Sequence, residues 1–141
     1  MFYSQHSQKI DKLLPVVLDT NILVSALWSK DGNAAKIIRK IANEEVFPYY
    51  TEQIWLEYEE VLFRPKLNFD KNMVNILLQR LSYRGLKIQV KSSTVRLPDE
   101  SDRKFYDIAK SCKAVLITGN IKHFPEEPFI FTPQKFLQKY G

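Results

Sequence analysis

Two short apolar runs, each closed by a polar triplet, constrain this chain more than any other feature. Val16-Val17-Leu18 leads directly into Asp19-Thr20-Asn21, and Val115-Leu116-Ile117 leads into Thr118-Gly119-Asn120. An unalternating aliphatic run reads as a strand buried on both faces, the condition of a central strand in a helix-covered parallel sheet. Phe129 to Phe131 and Val46 to Tyr49 are shorter runs of the same kind, and Lys87 to Val90 is a weaker one. Between them lie segments with helical spacing and recognisable ends. Ile22 to Trp28 is apolar on nearly all sides. Asn33 is positioned to cap Ala34 to Asn43, with Ile37, Ile38 and Ile41 on the buried face. Thr51 starts a helix that must stop near Arg64, because Pro65 restricts the residue before it. Asp70 caps a helix to about Arg84, with Gly85 at the position after its end. Asp99 or Ser101 begins a helix to about Cys112, and Thr132-Pro133 supplies an N-cap and an N1 proline for the last one. Strands alternating with helices predict an α/β domain of three layers, α/β/α, around a central, mostly parallel sheet. With 141 residues and no linker or repeat, the expectation is one domain over residues 15–141 and an N-terminal extension over residues 1–14.

Several function classes fall away. The lone Cys112 excludes an internal disulfide and a cysteine-built zinc site, and His6 and His123 stand too far apart for a local two-histidine motif. Four glycines form neither GxGxxG nor GxxxxGK[ST], so dinucleotide and P-loop chemistry lack their usual warrant. The longest uncharged apolar run, Ile22 to Trp28, falls far short of the roughly 20 residues of a membrane span. No secretory signal is visible, and a reduced, cytoplasmic protein without a membrane partner is expected. The net charge of +5 is unevenly placed. Arg64, Lys66, Lys71, Arg80, Arg84, Lys87 and Lys91 face a single acid, Asp70, within their stretch, whereas Glu44 to Glu60 holds six Glu and no Lys or Arg. Such asymmetry draws a polyanion to one side of a domain and leaves carboxylates elsewhere, unless it is only a solvated helix face. On the first reading Arg64, Lys66 and Arg84 contact that polyanion.

Open α/β sheets bind ligands beyond the carboxyl ends of their strands, where both polar triplets fall. An aspartate directly after a buried strand is costly unless bonded, paired or holding a metal; alternatively Asp19 or Thr20 caps the next helix. On the helix ending at Cys112, Asp102 sits at the edge of the face defined by Phe105, Ala109 and Cys112, and Asp107 points about the opposite way. Asp102 complements the helix dipole in the simplest reading, with Asp99 as the cap. Glu57 and Glu59 flank the apolar face of their helix, and periodicity does not choose between them. No Ser-His-Asp arrangement is evident, and Asp19-Thr20-Asn21 lacks the second aspartate of a DxD phosphatase motif.

The stretches VVLDTNILVSALW, EYEEVLFRPKL and LPDESDRKFYDIAKSCKAVLITGNIKHFP resemble the PIN-domain nucleases, and within them the VapC-like ribonucleases that serve as toxins of toxin–antitoxin pairs. The resemblance runs from about Val16 to Phe131. It implies a PIN-like fold in which Mg²⁺ or Mn²⁺ is held by Asp19, Glu57 and Asp102, which are also the catalytic acids. The fourth metal position carries Asn120 where the family usually has aspartate. Thr20, Asn21 and Ser25 match supporting positions, and Thr118 orients the site through hydrogen bonds. Hard oxygen donors without Cys or His suit these cations. The implied activity is metal-dependent endoribonuclease hydrolysis of RNA phosphodiester bonds by activated water, with an antitoxin protein and a second copy of the chain as partners. Asn120 keeps a second reading open, a catalytically weakened nucleic-acid- or antitoxin-binding module of the same fold.

Overall fold

The computed structural model describes residues 13–141; His6 and the expected extension up to residue 12 lie outside the described residues. In chain order the elements are β1 (Leu14–Leu18), α1 (Thr20–Trp28), α2 (Asn33–Ala42), β2 (Val46–Tyr50), α3 (Glu52–Leu62), α4 (Lys71–Arg84) and β3 (Leu86–Lys87). A 3₁₀ turn (Glu100–Asp102), α5 (Arg103–Cys112), β4 (Val115–Ile117), a second 3₁₀ turn (Ile121–His123), β5 (Ile130–Phe131) and α6 (Pro133–Tyr140) complete the chain. The five strands form one sheet in the order β3-β2-β1-β4-β5, and every pairing is parallel. β1 is central, with Val16 level with Val115 and Leu18 level with Ile117. Val16, Val17, Leu18, Leu116 and Ile117 are wholly buried, as their unalternating pattern requires. The protein is thus an α/β domain with helices flanking a parallel sheet.

The strand order places the site. From β1 the chain moves outward to β2 and β3, then returns across the sheet to β4 on the other side of β1. Right-handed crossovers put helices that travel in opposite directions on opposite faces. Accordingly α1 and α2 pack on each other and α2 also meets α4 and α6, whereas α5 lies against β1 and β4. Where the direction reverses, between β1 and β4, the chain leaves the two strands on diverging paths and opens a crevice at their carboxyl ends. Asp19 and Thr118 are the residues that step off those two strands.

Local signals set most helix ends. Thr51 Oγ1 accepts from Ile54 N at 3.2 Å, Asp70 Oδ1 from Asn72 N at 2.7 Å, and Thr132 Oγ1 from Lys135 N at 3.2 Å. Two ends differ from expectation. Gly32, not Asn33, is the N-cap of α2. Gly85 is extended (φ −103°, ψ −178°) and not left-handed; a Cβ there would lie 2.6 Å from the carbonyl oxygens of Leu81 and Pro48. Close approach of α4 to β2, not a helix-stop conformation, is what requires glycine. The left-handed stop occurs instead at Lys113 (φ 55°, ψ 41°) after α5.

Two electrostatic expectations also change. The acidic and basic stretches do not occupy separate faces, because Arg84 pairs with Glu44, Lys87 with Glu52, and Arg64 with Glu60 at 2.8 Å. Asp107 does not face outward. It is 4% exposed and accepts from Ser93 N at 3.0 Å, while Arg103 Nη1 reaches Ser93 O at 2.7 Å. The strand-free segment 88–98 folds over α5 and covers that side of the helix.

Candidate functional site

Asp19 terminates β1 as the N-cap residue of α1 yet makes no capping bond through its side chain. The nearby amides of Thr20 and Asn21 only temper its charge. Its Oδ2 instead accepts from Thr118 Oγ1 at 2.8 Å and from Asn21 Nδ2 at 3.3 Å. Asn21 in turn accepts from Gly119 N at 3.1 Å, and Thr118 Oγ1 accepts from Asn120 N at 3.0 Å. The two polar triplets are therefore stitched across the crevice, and Asp19 is held in place while only 7% exposed. Burial raises its pKa against the opposing effect of the Thr118 bond, and the charge of Glu57 raises it further.

Glu57 reaches the same place from α3. Thr51 starts that helix and Ile54, Tyr58 and Leu62 bury its inner face, which turns Glu57 toward the crevice and leaves Glu59 exposed. Thr20 Oγ1 donates to Glu57 Oε2, and Lys104 Nζ lies 2.8 Å from Glu57 Oε1. Tyr58 OH donates to the Leu18 carbonyl at 2.6 Å, pinning α3 to the end of β1. Burial drives the Tyr58 pKa well above its ordinary value, with the charges of Asp19 and Glu57 adding to the effect.

Asp102 stands at the junction of the 3₁₀ turn and α5 and makes no capping bond through its side chain. Asp99 does the capping, accepting from Ser101 N at 2.9 Å. Asp102 Oδ2 is buried and has no hydrogen-bond donor. Its carboxyl is pushed up to about 6, first by desolvation and then by the charges of Asp19 and Asp99, against the opposing pull of His123 and Lys104. Asp19 thus feels Glu57, and Asp102 feels Asp19, although the three are far apart in sequence. An orphaned buried carboxylate oxygen among mutually repelling acids is the condition that a divalent cation relieves, and oxygen donors fit Mg²⁺ or Mn²⁺.

The remaining residues sort by position. Among the described residues, Asp99, Asp102 and His123 bring one donor atom each within 4.8 Å of one another, with His123 Nδ1 at 3.5 Å from Asp102 Oδ2. His123 reaches Asp102 because the 3₁₀ turn after Asn120 folds back toward the start of α5; spacing in the sequence carried no sign of it. Asn120 is exposed, opens that turn and is tied to the site through its backbone. Ser25 is exposed on α1. Lys66 is exposed, and Arg64 and Arg84 are held in the ion pairs described above.

This geometry is accompanied by clear relatedness. Residues 15–122 match the PIN domain family, a span that holds Asp19, Glu57, Asp102 and Asn120. The chain is also 31% identical over 117 residues to an uncharacterized protein (MJ1680) of Methanocaldococcus jannaschii, covering 80% of this chain and 76% of that protein. With its parallel sheet, Asp19 at the switch point and this match, the chain belongs to the PIN-domain family.

Proposed function

We propose that this protein is a metal-dependent endoribonuclease that hydrolyses RNA phosphodiester bonds at the crevice between β1 and β4. PIN domains are generally nucleases and take nucleic acid as substrate. The observation that carries the reading is a chain of repulsion among three acids from three different elements, Glu57 acting on Asp19 and Asp19 on Asp102, with one Asp102 oxygen buried and without a hydrogen-bond donor. These acids would hold Mg²⁺ or Mn²⁺, Asn120 would offer an amide oxygen at the fourth position, and Asp99 and His123 stand beside Asp102. When bound, the cation supplies Lewis acidity toward a phosphoryl group and an activated water. The chain's own residues hold this arrangement. Thr118 and Asn21 orient Asp19, Thr20 orients Glu57, and Tyr58 locks α3 against β1. Preset acids need little reorganisation when charge develops on phosphate oxygens.

RNA contacts fall to Lys66 and, in exchange with their glutamate partners, Arg64 and Arg84. Exposed Trp28, Met73, Ile76 and Tyr83 support a protein partner, a second copy of the chain or an antitoxin, as in toxin–antitoxin pairs. Cleavage of labelled single-stranded RNA with Mn²⁺ or Mg²⁺, by the wild type and by Asp19→Asn, tests the assignment. Metal-dependent cleavage lost in Asp19→Asn is expected; equal cleavage by both proteins overturns it. Asn120, exposed and uncharged, favours the second reading of a weakened binding module, for which RNA is bound but left intact by the wild type.

A further inference from the structure

We propose that Lys104 is the resident counter-ion of the acid site, and that a divalent cation must displace its ammonium from Glu57 in order to bind. The inference rests on the metal-site reading above and adds a residue of this chain that sets the affinity. Lys104 follows Asp102 by two positions, in the first turn of α5. A cation is disfavoured there by the helix dipole, and a lysine side chain is rarely buried unless paired. Yet the Lys104 side chain is 8% exposed. What holds it is the site itself: Nζ lies 2.8 Å from Glu57 Oε1 and donates to the Ser101 carbonyl, and it lowers the pKa of both Asp99 and Asp102.

The consequence follows from the two oxygens of Glu57. One accepts from the Thr20 hydroxyl and the other holds Lys104. Asp102 Oδ2, in contrast, has no hydrogen-bond donor. A divalent cation entering the crevice meets one carboxylate oxygen with no hydrogen-bond donor, His123 Nδ1 standing 3.5 Å from it, and one carboxylate already committed to a positive charge. Left in place about 6 Å from a divalent cation, the ammonium would repel it, even at the dielectric of water, by an amount that weakens binding about tenfold. Lys104 has room to yield, because it also lines a cleft bounded by Thr51, Gln53, Val90 and Arg103. Displacement therefore swings the ammonium toward solvent and frees Glu57.

The test is Mn²⁺ binding to the full chain, read by loss of the free-ion electron paramagnetic resonance signal, with wild type, Lys104→Met, Lys104→Arg and Asp102→Asn compared. Lys104→Met is expected to bind about tenfold tighter than wild type, Lys104→Arg to remain close to wild type, and Asp102→Asn to bind weakly. Wild type that binds no Mn²⁺, or Asp102→Asn that binds as well as wild type, defeats the metal-site reading. Wild type that binds, Asp102→Asn that does not, and Lys104→Met that binds no tighter than wild type overturns the role of Lys104 alone. Should Lys104→Met fail to fold, the unaltered protein decides: acylation of Lys104, followed by peptide mass spectrometry, is expected to rise on saturation with Mn²⁺. Unchanged protection of Lys104 at saturating Mn²⁺ overturns the proposal.

Discussion

Replacing Asp102 with asparagine is expected to stabilise the metal-free fold at neutral pH. The Asp102 carboxyl is raised from 3.8 to about 6 by desolvation and by the charges of Asp19 and Asp99. A folded-state pKa above the unfolded one means that the native protein binds the proton more tightly, so ionisation of Asp102 destabilises it. The penalty is absent below about pH 4, grows between about pH 4 and pH 6, and is complete above that. For a fully desolvated carboxyl, a rise of this size is equivalent to about 3 kcal/mol. Water reaching this partly open carboxyl screens the interaction and reduces the expected penalty to about 1–2 kcal/mol. Asparagine keeps the shape and removes the charge. Urea denaturation in EDTA at pH 7.5 should therefore show Asp102→Asn more stable than wild type by about 1–2 kcal/mol. At pH 4 the two proteins should coincide. In a thermal melt at neutral pH the gain is a rise in Tm of roughly 3–6 °C for a chain of this size. Saturating Mn²⁺ should reverse the order, because a ligand binding only the native wild type adds about 2.7 kcal/mol at a hundred times its Kd. An Asp102→Asn protein that is equally or less stable at pH 7.5 refutes the reasoning, since Asp102 then carries no electrostatic penalty in the acid cluster.

Four further outcomes are expected. Thr118→Val removes the hydroxyl that donates to Asp19 and accepts from Asn120 N, and chemical denaturation should show a loss of about 1–3 kcal/mol. Lys113→Gly relieves a left-handed residue at the end of α5, where Ala114 N already bonds to Ala109 O; a gain of about 0.5–1 kcal/mol is expected in the same assay. Lys66→Ala should reduce the slope of log affinity for RNA against log salt by about one, whereas Arg84→Ala, which dissolves the pair with Glu44, should cost about 0.5–1 kcal/mol of stability.

What could be read along the chain was whatever depends on neighbours a few residues away. The unalternating runs at Val16–Leu18 and Val115–Ile117 have no solvent-facing side, so they could only be central strands, and both are buried in a parallel sheet. Thr51, Asp70 and Thr132 cap the helices they precede because a side-chain oxygen reaches an amide two or three residues on. Their chemistry is local, and so is their signal.

The site itself depends on contacts between residues many tens of positions apart, and periodicity carries no information about those. Glu57 and Glu59 flank one helix face equally; only the seating of α3 against β1, with Tyr58 on the Leu18 carbonyl, gives Glu57 to Thr20 and Lys104. The charge blocks looked separate in sequence, but folding brings Arg84 to Glu44 and Lys87 to Glu52, because opposite charges on adjoining elements lower their energy by pairing. Asp107 looked outward on a lone helix and is buried because segment 88–98 lies over it. Asp19 meets Thr118 because β1 and β4 are neighbours where the sheet reverses direction, a decision of strand order that no stretch of sequence contains.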